Sequence, residues 1–231
     1  MQLQRRKQQG FTLIEIAIVL VIIGLLLGGV LKGQQMIENA KVKAVINDLQ
    51  GVSAATHAYY DTYHQYPGVD GPLATLQARG GAWANITVAG TGAGQVASGS
   101  PFNAGGAPNA GNGHIAFFQA LRAGGFLSGN PNNAGLVGAA NSAFPNNSFG
   151  GVEGVTFNPA FVPNTTLTGL AACASQVPGQ SARAIDAQLD DGAPGTGIVL
   201  ATQDAVGTNT PPGAVAAAYN ETQTYTICLA M

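Results

Sequence analysis

Charge is what this sequence has least of. Asp, Glu, Lys and Arg make up 9% of 231 residues, nine basic against eleven acidic. There is no basic stripe of the kind that follows a nucleic-acid backbone, so no specific nucleic-acid partner is expected. Histidine is nearly as scarce. His57 and His64 are seven apart on one stretch and His114 stands alone, which leaves a metal centre without its third ligand. Gly90-Thr91-Gly92-Ala93-Gly94 has the glycines of a phosphate loop but lacks the Gly-Lys-Ser/Thr ending. Ser148 and Ser181 have no recognisable nucleophile context. Catalysis therefore has little to rest on, and an enzyme is not expected.

The scarcity is sharpest between Phe11 and Leu31, twenty-one residues in which Glu15 is the sole charge. At ~1.5 Å per helical residue this run is long enough to span a bilayer. Arg5, Arg6 and Lys7 precede it in a leader that ends at Gly10. Basic residues hold their end of a span in the cytoplasm, so the rest of the chain is expected across the membrane. An ordinary secretory signal is cut after its apolar region at a small-residue site, and Lys32-Gly33-Gln34-Gln35 offers none. A cut after Gly10 would instead leave the apolar helix on the mature chain. Glu15 then costs roughly 2.5–3.5 kcal/mol inside hydrocarbon and demands a partner.

Gly10-Phe11-Thr12-Leu13-Ile14-Glu15 resembles the processing site of type IV pilins and pseudopilins. The resemblance runs from Gly10 to about Pro67. It implies a prepilin peptidase that cuts between Gly10 and Phe11, and N-methylation of the new amine on Phe11. It also implies an assembly role for Glu15: pairing with the Phe11 amine of a neighbouring subunit. An unpaired carboxylate in an apolar core is penalised, so the pair would set the axial step. The implied partners are further copies of the chain in a homopolymer, and an inner-membrane assembly platform with its ATPase. The implied location is the inner membrane, head in the periplasm, before assembly, and an extracellular or periplasmic filament after it. The runner-up reading is a pseudopilin of a type II secretion system. A rival from a different class is a membrane-anchored adhesin or ligand-binding domain that does not polymerise.

Removing residues 1–10 takes away three of the nine basic side chains and no acid. Six against eleven remain, a balance of −5. With 33 glycines, this suits a loop-rich exported head. In an oxidising compartment the two cysteines, Cys173 and Cys228, default to one disulfide. Pilins commonly close their carboxy-terminal region this way.

Residues 12 to about 64 read as one helix, roughly 75 Å long. It is apolar all round at first. From Met36 it becomes amphipathic, with Ile37, Ala40, Ala44, Val45, Leu49, Val52, Ala55, Tyr59 and Tyr63 at steps of three or four apart from the adjacent Ala44 and Val45. Tyr66-Pro67-Gly68 should stop it. The expected layout is a leader over 1–10, a transmembrane or filament-core helix over 11–31, its amphipathic continuation over 32–66, and a globular head over 67–231. Gly24 with Gly28, and Gly29 with Gly33, are small-xxx-small pairs that let apolar helices approach. Many pilins have a helix-kinking proline near position 32; this chain has Lys32.

The head alternates pattern with punctuation. Residues 68–113 and 128–150 are loop-like. His114–Ala123 reads as a short helix with Ile115, Phe118 and Leu121 on one face. Strands are expected over Val152–Phe157, Gly197–Thr202 and Thr222–Leu229. A short helix over Leu167–Gln176 would carry Cys173, and Ser181 would cap another over Ala182–Asp190. The expected fold class is α+β: a long N-terminal helix on a small antiparallel sheet with short helices and long Gly/Asn-rich loops. Asp186, Asp190 and Asp191 are the one acidic cluster, and the first two are four apart on that helix. The set is a candidate for calcium, although a solvated helix end with an aspartate-capped turn is the favoured reading. No cofactor is otherwise expected.

Overall fold

The computed structural model describes residues 12–90, 96, 101–102, 113–132, 144–157, 160–161, 165–167 and 169–231. It is an α+β protein. Helix α1 runs Leu13–Tyr63, followed by the short helices α2 (Leu73–Gln77) and α3 (Gly113–Ala123). Strands β1 (Glu153–Phe157), β2 (Ala160–Phe161), β3 (Thr165–Thr166) and β4 (Leu170–Pro178) come next. Helix α4 (Gly179–Leu189) and strands β5 (Val199–Asp204) and β6 (Thr224–Ala230) complete the chain. A four-stranded sheet has the order β1-β4-β6-β5, every pair antiparallel, and β2 pairs with β3 separately.

The chain divides into two compact units between Ala40 and Lys41, inside α1. In the first unit every described residue from Thr12 to Lys32 is exposed. In the second, the helix acquires a buried stripe: Val42, Val45, Leu49, Val52, Ala55 and Tyr59. This stripe belongs to the same core as Phe117, Val155, Ala172, Ile185, Leu200 and Ile227. The change follows the sequence, because the amphipathic period only becomes strict once the apolar run has ended.

The helix ends at Tyr63, close to the expected residue 64 and just ahead of Tyr66-Pro67-Gly68. His64 takes a left-handed conformation with φ 54°, and its N–H donates to the Tyr60 carbonyl at 2.8 Å. That is a helix-ending bond made by a residue other than glycine. Gly68, at φ 75°, then lets the chain press against α3. A Cβ there would come within 2.7 Å of the Phe117 nitrogen.

Three sequence expectations are corrected. Leu167–Gln176 is not a helix; most of it is β4, a central strand flanked by β1 and β6. Its run Leu170-Ala171-Ala172-Cys173-Ala174 is buried throughout. Alanine's helix propensity yields there to a site that needs small side chains on both faces of a strand. Helix α4 starts earlier than expected. Its N-cap is Pro178, and the Gly179 N–H donates to the Gln223 carbonyl at 2.9 Å, so Ser181 sits inside the first turn. Residues 68–113, read as loop, contain α2 and a 3-10 turn over Gly81–Asn85.

Cys173 and Cys228 face each other in the register of β4 and β6 and are joined as a disulfide. Both are fully buried.

Candidate functional site

The segment expected to carry processing and assembly starts at the first described residue. Gly10 and Phe11 lie outside the described residues. Thr12 and Glu15 lie within them, and they cap α1 reciprocally. The Thr12 N–H and Oγ1 donate to Glu15 Oε2 at 2.8 and 2.7 Å, and the Glu15 N–H donates to Thr12 Oγ1 at 3.3 Å. This is a capping box, a Thr-x-x-Glu pattern at the head of an apolar helix. The sequence reading weighed Glu15 as a lone charge and missed Thr12, although the spacing itself was the signal. The carboxylate is thereby held at the helix N-terminus, where the macrodipole also favours it.

On either side of Glu15 the helix presents Leu13, Ile14, Ile16, Ile18, Val19, Leu20 and the residues up to Leu31, all exposed. By length and composition this stretch can cross a membrane. So large an apolar surface cannot rest in water and needs lipid or other helices around it.

In the head, the three aspartates do come together: their carboxylates lie within 4.8 Å of one another. Each is engaged by its own loop. Asp186, fully buried, accepts from the Tyr219 hydroxyl at 2.6 Å and from the Gly192 N–H at 3.1 Å. Asp190 accepts from the Ile198 and Val199 N–H groups. Asp191 accepts from the Ala193 N–H and the Thr196 hydroxyl. Gly197, at φ 81°, leaves room for this arrangement, since a Cβ would land on the Asp190 carboxylate. Burial raises the pKa of Asp186, while the Thr196 and Ala193 donors lower that of Asp191. The set as it stands is a brace that ties the end of α4 to the start of β5.

Two further polar knots were invisible in the sequence. Asp70, 2% exposed, accepts from the Tyr59 hydroxyl and pairs with Arg79 at 3.4 Å. The Arg79 guanidinium lies 4.5 Å from the ring centres of both Tyr63 and Trp83. Tyr59 and Tyr63 of α1 are thus packing residues, and the cage of Tyr63 and Trp83 is already filled by the protein's own cation, whereas Tyr60 is exposed. Asp204 accepts from the Gln176 N–H and Nε2, both at 2.9 Å, from the Thr226 hydroxyl at 3.1 Å and from the Thr210 N–H at 2.8 Å. It closes the loop after β5 onto the β4 bulge. His114 is a core residue whose Nδ1 meets the Val155 carbonyl at 2.6 Å; burial lowers its pKa and keeps it neutral. His57 and His64 are exposed.

Residues 5–31 match the family described as the prokaryotic N-terminal methylation motif. The chain is also 37% identical over 75 residues to the type II secretion system core protein G of Pseudomonas aeruginosa. That stretch is 32% of this chain and 53% of the relative, so the chain spans about half the length of the curated protein it matches. No solved structure is matched.

Proposed function

We propose that this chain is a structural subunit of a type IV pilus-like filament, with no catalytic role. The observation that carries the reading is the methylation motif over residues 5–31, whose part from Leu13 onward lies on a helix with a bare apolar surface up to Leu31. The leader is cut after Gly10 by a prepilin peptidase, and the new Phe11 amine is methylated. Before assembly the bare surface is covered by the inner membrane, with the head in the periplasm. After assembly it is covered by the same helices of neighbouring copies. Glu15, held by Thr12 in the free subunit, gives its carboxylate to the Phe11 amine of a neighbour, which fixes the step between subunits. An inner-membrane platform and its ATPase supply the work of extraction.

A second reading, a pseudopilin building a short periplasmic filament, is favoured by the similarity to the secretion protein. Electron microscopy of sheared surface fibres, with mass spectrometry of their subunits, separates the two. Long fibres rich in this chain support a pilus. Their absence, together with correct cleavage, supports a pseudopilin. A Gly10→Leu variant should retain its leader; normal mature protein from it would refute the processing site on which both readings rest.

A further inference from the structure

Within the compact unit Lys41–Met231, the charged side chains of α1 are Lys41, Lys43, Asp48 and Asp61. Lys41 lies over the Phe149 ring at 5.7 Å. Lys43 and Asp61 are exposed. Among the described residues, neither of these two side chains has an ion-pair or hydrogen-bond partner in its own chain.

Their spacing gives the pair its meaning. Asp61 follows Lys43 by 18 residues, all within α1. That is about five helical turns, so the two share one azimuth and stand about 27 Å apart along the axis. Gln50 and Ala54 lie on the same line, with Asn47 and His57 beside it, and all four are exposed. Val45, Val52 and Tyr59, which carry α1 into the core, lie roughly 160–200° around the helix from Asp61. The line from Lys43 to Asp61 therefore points away from the head's own core. Asp48 is off it, roughly 140° around from Lys43.

The uncovered face of α1 thus has a cation at one end, an anion at the other, and no other formal charge between them. Two copies side by side at the same height would set Lys43 against Lys43 and Asp61 against Asp61, which is repulsive. A copy displaced along the axis by the spacing of the two charges sets opposite signs together. Such complementarity fixes register more than it adds affinity. Helices gathered by their apolar stretches keep their heads outside, so the face turned from each head is turned toward the other helices. We propose that Lys43 of one copy pairs with Asp61 of a second copy displaced by about 27 Å along α1, and that this pair sets the register of the helices beyond the apolar stretch.

The inference rests on the filament reading, and the test separates the two. Full-length chains are expressed in cells that make the filament, sheared filaments are quantified, and leader cleavage and membrane insertion are checked for each variant. Lys43→Glu and Asp61→Lys should each lower the yield by about fivefold or more, because every copy loses a pair and gains a repulsion. The double exchange restores the pair with its signs reversed and should return the yield to within about twofold of the wild type. Lys43→Cys combined with Asp61→Cys should give a disulfide-linked ladder on non-reducing gels. Gln50→Cys combined with Asp61→Cys, on the same line but only about 16 Å apart, should not. A cleaved wild type that forms no filaments would remove the filament reading, and the register with it. Wild-type filaments whose yield survives Lys43→Glu, a double exchange no better than the single ones, or a Gln50–Asp61 ladder as strong as the Lys43–Asp61 one would overturn the register alone. Should a charge variant fail to insert, the two cysteine ladders decide.

Discussion

Replacing Asp186 with alanine tests whether the aspartate cluster is a brace or a metal site. Asp186 is fully buried, and both of its oxygens are used, one by the Tyr219 hydroxyl and one by the Gly192 N–H. Hydrogen bonds to a charged acceptor are worth roughly 1.5–3 kcal/mol each, and a donor left unpaired in the interior costs roughly 1–3 kcal/mol. Asp186→Ala strands two donors, so the loss should be about 3–5 kcal/mol. For a domain of this size each kcal/mol moves the melting point by roughly 2–4 °C, so a drop of roughly 6–20 °C is expected. Asp186→Asn keeps one acceptor and should lose about half as much. The assay is thermal melting of the detergent-solubilised chain, followed by the fluorescence of Trp83. This is the single tryptophan, and it is buried away from the cluster at the Arg79 knot. Each variant is melted with calcium and with a chelator. A melting point for Asp186→Ala within 2 °C of the wild type would show that the bonds bear no weight. A large calcium shift in the wild type that disappears in Asp190→Ala would show that the carboxylates serve as ligands, and the brace argument would fail.

Other perturbations act elsewhere. Glu15→Ala should leave the chain inserted in membranes, judged by carbonate extraction, but cut the yield of sheared filaments; an undiminished yield would count against the pairing with the Phe11 amine. Cys173→Ala combined with Cys228→Ala opens a link with a sequence separation of 55. In the chain-entropy model it should cost about 4 kcal/mol, read as a comparable loss in denaturant unfolding. Arg79→Ala leaves the buried Asp70 without its cation and empties the cage of Tyr63 and Trp83. A loss of about 2–3 kcal/mol is expected by circular dichroism melting, and Arg79→Lys should recover little because the planar stack is lost.

How much was legible depended on how local each signal was. The apolar run, the leader and Glu15 lie within thirty residues, and their meaning is set by spacing alone. Helix α3 and strands β1, β5 and β6 were legible for the same reason, since each has its own periodicity. Strand β4 was not. Leu170-Ala171-Ala172-Cys173-Ala174 is a good helical stretch in isolation, and only its place between two other strands makes it a strand. The long loops hid α2 and the 3-10 turn because five-residue helices have no period to detect. The Thr12 cap is equally local, since Thr-x-x-Glu at the head of an apolar run is the spacing of a capping box.

The polar knots of the head mark the limit of such reading. Tyr59, Asp70 and Arg79 meet directly, and Trp83 of the 3-10 turn packs beside them against α1. Glu153 in the sequence resembles an ordinary surface acid. What distinguishes Glu153 is burial without a cation, a property of the folded core and not of any pattern in the chain. The same composition that made charge rare explains why this matters. In a head with so few basic side chains, a buried acid has little chance of finding one, and a proton is the cheapest positive charge to hand.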